Sequence, residues 1–173
     1  MYKLIISPLR YSAVVYASHL LDNRSVLITI ANGLEEPNIY ELCLEAKRIQ
    51  KRFEVEKAYK IFGIRQLYCF NQDMHKIDYQ FVLLKLNLML SITPFTHICY
   101  EDSEDRALTE IIEKVGKKAN RIVYTSDPIN SLAYELTDEE IERKLDAVQR
   151  MPTIRKKLLY MQEPNIEYIR RSV

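Results

Sequence analysis

The chain of 173 residues has only three glycines, Gly33, Gly63 and Gly116, and none follows the first apolar run. Backbone can approach a pyrophosphate closely only through glycine at that turn, so dinucleotide and P-loop cofactor readings are excluded. Cysteine is equally sparse: Cys43, Cys69 and Cys99 are odd in number and far apart, which excludes a disulfide framework and a paired-cysteine zinc site. Buried, reduced thiols are the expectation. The net charge of +1 lacks the surplus of Lys and Arg that duplex nucleic acid or an anionic membrane surface requires. No run approaches the roughly 18 apolar residues of a membrane span. Residues 81–91 come nearest, and Lys85 and Asn87 interrupt them. A cytoplasmic protein with neither nucleic-acid nor membrane partner is expected.

What is present is an alternation of short apolar runs with helical periods. Residues 4–6 and 25–31 are continuous apolar, β-branched stretches of the kind buried in parallel sheets. Between them, residues 13–21 are apolar all round and read as a helix opened by Ser12. Asn38 with Glu41 forms a capping-box pattern, and helical spacing carries a long helix to Phe62, with Gly63 as its C′ residue. Residues 66–70 read as a third strand, and Asp78 caps a helix to Ser91. Strands over 97–100 and 121–124 bracket a helix over 106–119. Residues 131–136 suit a further strand, and Thr137 with Glu140 opens a helix that Pro152 stops.

Strands alternating with helices predict one α/β domain over residues 1–173. Its fold is Rossmann-like and doubly wound, with a mostly parallel sheet of five to six strands and helices on both faces. Residues 153–173 are expected to form a helical tail. Ligands of such sheets sit beyond the strand carboxyl ends, which directs attention to residues 7–12, 31–36, 71–76, 101–105 and 125–130.

Two of these loops hold polar constellations. Arg10, Tyr11 and Ser12 follow the first strand, and Glu101, Asp102, Ser103, Glu104 and Asp105 follow the fourth. The acids suit hard-oxygen ligation of magnesium or manganese, or acid/base work, with His75 as a further candidate on the same side. Against this, an acid before a helix commonly serves as its N-cap and complements its dipole. The other histidines read as structural: His19 lies within the first helix and His97 at the far end of a strand.

The order of these features resembles the LmbE/PIG-L family of zinc-dependent N-deacetylases. Ile5-Ile6-Ser7-Pro8 matches the approach to that family's Ser-Pro-His-Pro-Asp-Asp-Glu motif. Ala31-Asn32-Gly33 is similar to its second-strand ending, and the frame Lys51-x-x-Glu54-x-x-x-Ala58-x-x-x-Phe62-Gly63 to its long helix. Where the motif would supply metal ligands and base stand Leu9, Arg10, Tyr11, Ser12 and Ala13. Asp102-Ser103-Glu104-Asp105-Arg106 lies where the family has His-Pro-Asp-His-Arg, and Met151 stands in for its last histidine.

The resemblance implies the family's sheet without its zinc ligands, and so no metal cofactor and no metal-dependent amide hydrolysis. A catalytically degenerate relative that binds carbohydrate is the leading expectation. Its ligand would be sugar-like, nucleotide-sugar-like or anionic, with contacts from Arg10, Tyr11, Ser12, Asn32, Glu101 and Asp102. Alternatively Arg10 merely pairs with the acids and fills the cleft. An enzyme with rebuilt chemistry at Asp102, Glu104, Asp105 and His75 is the second reading. The third is an interaction subunit, docking on a protein partner or a second copy through residues 153–171.

Overall fold

A computed structural model describes residues 2–31, 41–73, 75–102, 105–152 and 165–171. Five strands run parallel: β1 (Tyr2–Ser7), β2 (Ser25–Ala31), β3 (Gln66–Gln72), β4 (Phe95–Glu101) and β5 (Asn120–Thr125). Two more, β6 (Leu132–Glu135) and β7 (Ile166–Arg171), complete a seven-stranded sheet in the order β3-β2-β1-β4-β5-β7-β6. β7 is antiparallel to both its neighbours. The expected α/β sheet is thus present, one strand larger than the reading of five to six.

The helices are α1 (Ser12–Tyr16), α2 (Glu41–Lys60), α3 (Tyr79–Ile92), α4 (Arg106–Val115) and α5 (Asp138–Gln149). Alternation along the strands divides the core in two. Ile5, Leu27, Cys99 and Tyr124 face α1, α2 and α5, whereas Leu4, Ile28, Ile98 and Val123 face α3 and α4. Local chemistry sets several ends as the sequence reading expects. Asp78 accepts from the Phe81 N–H, Thr137 and Glu140 close a reciprocal capping box, and Gly63 takes φ 77° beyond α2. The Asn38 end of the long helix lies outside the described residues.

Two expectations need correction. The first helix is broken: α1 ends at Tyr16, Ala17 leaves helical geometry, and Ser18–Leu20 continue as a 3₁₀ turn. Ser12 is its first residue rather than its cap. The tail is not helical over its last described part, because residues 166–171 form β7 between β5 and β6. Ile166, Tyr168 and Ile169 have β propensity, and the buried Glu167 fastens the strand through partners far away in sequence. Those six residues are therefore committed to the sheet. Residues 153–164 lie outside the described ones. No helix among the described residues is long and apolar enough to cross a membrane.

Candidate functional site

The chain winds from β1 outward to β2 and β3, then returns to the other side of β1 for β4 and β5. The crevice between the carboxyl ends of β1 and β4 is therefore the topological switch point, where open α/β sheets hold ligands. The loop after β1 and Glu101 at the end of β4 flank it.

Glu101 is the centre of this region. It pairs in register with Tyr124 across β4 and β5, and both face the α1–α2 side. α1 brings Ser12 over the carboxyl group, and Tyr11 and Tyr16 are near enough for its charge to raise both their phenol pKa values, after burial, the larger cause. Tyr59 from α2 and Tyr124 close the underside. Their hydroxyls donate to the backbone carbonyls of Arg10 (3.0 Å) and Ile6 (2.9 Å). Ser7, fully buried at the end of β1, accepts from the Ala13 N–H at 3.3 Å and so ties strand to helix.

Burial pushes the Glu101 carboxyl up to about 7; the Ser12 hydroxyl opposes the shift and the Asp102 charge adds to it. Three buried oxygens in this layer lack a hydrogen-bond partner among the described residues: Glu101 Oε2, Ser12 Oγ and Thr29 Oγ1. Thr29 sits beside Ser7 in the register of β1 and β2, on the same face. Unsatisfied buried polar atoms are few in native proteins, and a group of them beside a switch point is the kind of layer a ligand completes.

The expected site residues separate. Arg10 is 3% exposed and its Nη2 donates to Asn71 Oδ1 at 2.9 Å, so its guanidinium lies beneath the loop surface. Asn71 itself takes φ 55° at the end of β3, a left-handed conformation that Asn tolerates better than most residues. Asp102 turns to the rim, where its carboxylate meets Arg170 of β7; the same guanidinium binds Asp127 at 2.9 Å. Asp105 caps α4 by accepting from the Leu108 N–H (3.0 Å) and also takes the Tyr79 hydroxyl (3.1 Å). His75 is exposed in the loop after β3, with β2 and β1 between that strand and β4. Asn32 and Glu104 lie outside the described residues. Tyr16, Tyr59, Tyr124 and Thr29 carry no motif in the sequence; only their positions on strand ends and on one helix face bring them here.

Among the described residues no three of His, Cys, Asp and Glu converge, and the loop after β1 buries the Arg10 guanidinium. Burial raises the Cys99 thiol to about 12, and Cys69 is half-buried and in no disulfide; the side chain of Cys43 lies outside the described ones.

The sheet order, the switch-point crevice and the helices on both faces define the fold of the LmbE/PIG-L-type deacetylases. Among solved structures, the chain is similar to the N,N'-diacetylchitobiose deacetylase of Pyrococcus horikoshii, at TM-score 0.75 and 13% identity over 99% of this chain and 83% of that one. It is also similar to the pseudoaglycone deacetylase of the antimicrobial reagent A40926, at TM-score 0.69 and 12% identity over 92% of this chain and 84% of the other. A 4-carboxy-2-hydroxymuconate hydratase from Pseudomonas putida shares the fold as well, with TM-score 0.69 and 11% identity over 100% and 97% of the two chains. No family model matches the sequence. No curated protein matches it either.

Proposed function

We propose that this protein recognises a sugar-like ligand bearing hydroxyl or amino groups at Glu101, without metal-dependent hydrolysis. The observation that carries the reading is the Glu101 carboxyl, half-buried at the switch point, with Oε2 lacking a partner among the described residues and Tyr11 and Tyr16 beside it. Near neutral pH such a carboxyl exists in both forms. Protonated, it donates to one hydroxyl and accepts from another; ionised, it takes an ammonium. Tyrosine rings supply stacking surface for a sugar face. The deacetylase neighbours, one of which acts on a chitobiose derivative, support an amino-sugar class. A second negative charge is disfavoured beside Glu101, which places nucleotide diphosphate sugars and simple anions below glucosamine-type ligands.

Thermal-shift and calorimetric titration with glucosamine, N-acetylglucosamine and a nucleotide sugar, each with and without zinc, tests this. Glucosamine should stabilise the wild type and not Glu101→Gln, with no added effect of zinc. Equal stabilisation of both proteins would overturn the role of Glu101, and zinc-dependent acetate release would overturn the non-hydrolytic reading.

A second reading rests on the same carboxyl as a general acid or base, since a pKa of about 7 suits proton transfer at neutral pH. The hydratase neighbour supports it, because that protein's chemistry is not deacetylation. Catalysis of this kind would give a pH–rate profile with a limb near 7 that Glu101→Gln abolishes.

A further inference from the structure

α3 is apolar on nearly every side, and its apolar stripes meet different fates. Val82 and Leu86 lie against the sheet and are fully buried. Phe81, Lys85, Leu88, Met89 and Ile92 recur at the spacing of a second helical stripe. That stripe shares a cleft with β3, whose Gln66, Tyr68 and Phe70 alternate onto one side before the strand leaves regular geometry at Asn71, φ 55°. Between the two walls lies a groove of about 440 Å³. Leu88 is 53% and Ile92 72% exposed, so the groove opens to solvent. A cleft of this volume, with mainly apolar walls and few polar groups, is the ordinary form of a small-molecule site.

The groove has two unlike ends. At one, Phe70 and Phe81 meet edge to face with ring centres 5.8 Å apart, and the Lys85 ammonium stands 5.4 Å from the Phe81 ring centre. At the other, Gln66 and Thr93 form a polar margin. Lys85 is the one charged residue of the wall, and among the described residues its ammonium has no hydrogen bond or ion pair. From Phe81 to Ile92, α3 advances about 16 Å, at roughly 1.5 Å per residue.

We propose that this groove binds a medium-chain fatty acid, its carboxylate on the Lys85 ammonium and its alkyl chain along Leu88, Met89 and Ile92. The charge argues for the head. A lone cation in a wall without carboxylates is complemented by an anion and repels an amine, and its contact with the Phe81 ring leaves N–H donors for a carboxylate. The length argues for the tail. With carbon–carbon bonds of about 1.5 Å, an extended chain of roughly ten to twelve carbons reaches from the Lys85 end to the polar margin. A volume of about 440 Å³ over that length is narrow, with room for one such chain. A nucleotide or a phosphorylated sugar brings more negative charge than one ammonium offsets. β2 and β1 separate the groove from Glu101 at the end of β4, so it is a second site and does not depend on the carboxylate reading.

Calorimetric titration of the full chain with sodium octanoate, decanoate and dodecanoate, each below its micelle-forming concentration, tests the proposal. One equivalent should bind, about two- to fourfold more tightly for each added methylene, and tetradecanoate should gain nothing over dodecanoate. The wild type should prefer decanoate to decanol by about tenfold, and Lys85→Met, which keeps the helix and the apolar wall, should abolish that preference. Leu88→Gln, at a position already exposed, should weaken decanoate by about threefold or more with unchanged circular dichroism. Glu101→Gln should bind decanoate as the wild type does. No saturable binding, an affinity that climbs on past dodecanoate, or a Lys85→Met protein that still prefers the acid would each overturn the assignment. So would loss of decanoate binding in Glu101→Gln, which puts the ligand in the other crevice, or a stable dimer in native mass measurement that excludes decanoate.

Discussion

Two carboxylates lie on the same face of one sheet and meet opposite fates. Glu167, on β7, is 1% exposed and saturated. It accepts from the Ser18 N–H (2.9 Å) and hydroxyl (2.6 Å), the His19 N–H (3.1 Å) and Nδ1, and Lys144 Nζ (2.8 Å). Burial alone would raise its pKa, but the His19, Lys144 and Ser18 contacts outweigh it and hold the group down at about 2. Glu101, on β4, is less buried yet poorer in partners: one oxygen is unpartnered, and burial lifts the group to about 7. Burial acts in the same direction on both groups and so does not explain the difference between them. What differs is the number of donors, five against the single opposing Ser12 hydroxyl. A fully satisfied carboxylate is a fastener, and the one left wanting donors is where a ligand can add something.

The largest test of that contrast is Glu167→Ala. It leaves the Lys144 ammonium, itself 6% exposed, buried without its counter-charge, and releases the 3₁₀ turn and α5 from β7. Breaking such a buried pair costs about 3–5 kcal/mol. That corresponds to a fall in Tm of about 10 °C for a domain of this size. Because the folded pKa lies below the unfolded value of 4.5, the wild type has this stability in full above pH 4.5 and loses it as pH falls toward 2. Thermal melts across that range should converge for wild type and variant at the acid end. If Glu167→Ala melts with the wild type at pH 7, the two carboxylates are not different in kind.

Glu101→Gln should act with the opposite sign. A folded pKa of about 7 lies above the unfolded value of 4.5, so the native state holds more protons between them and stability falls as pH rises through that window. Removing the charge relieves this. The variant should be more stable than the wild type at pH 8, by about 2 kcal/mol after allowance for partial solvent screening, and equal to it at pH 4. A variant destabilised at pH 8 would mean that Glu101 is a second fastener.

Much of this arrangement can be read from the sequence, and the part that cannot has a physical cause. Local signals mark the ends of elements: Ser7-Pro8 leaves β1, Asp78 opens α3, and Thr137 with Glu140 opens α5. The alternation of strands with helices points to five strand-end loops, and the polar residues at 10–12 and 101–105 single out those after β1 and β4. β7 is hidden because its reasons are remote: Glu167 is held by residues 149 and 148 positions earlier. The acidic run misleads as a unit. Successive residues leaving a strand point to opposite sides, so Glu101 enters the layer beneath α1 while Asp102 meets Arg170 at the rim. Asp105 takes the cap role that acids before helices commonly have. Arg10 likewise reads as a cleft cation but lies beneath the loop, bonded to Asn71.

The finest comparison uses the two serines that face the two carboxylates. Ser18 donates its hydroxyl to Glu167 at 2.6 Å, and Ser18→Ala should cost about 1.5–3 kcal/mol, the range for a hydrogen bond to a charged group. Ser12 is fully buried and faces Glu101, but its hydroxyl completes no hydrogen bond of good geometry. Deleting an unpartnered polar atom forfeits little, so Ser12→Ala should change the melting free energy by less than about 0.5 kcal/mol. Its effect should appear in the titration instead. The Ser12 hydroxyl opposes the rise in the Glu101 pKa, so its loss should move that carboxyl further above 7, as read by carbon-13 NMR of labelled glutamate. A ligand that donates to Glu101 Oε2 should move it back down, in wild type and Ser12→Ala alike, because it adds a donor at the oxygen that Ser12 leaves unsatisfied. An unmoved titration in Ser12→Ala would place the hydroxyl outside the reach of Glu101 and remove one wall of the site.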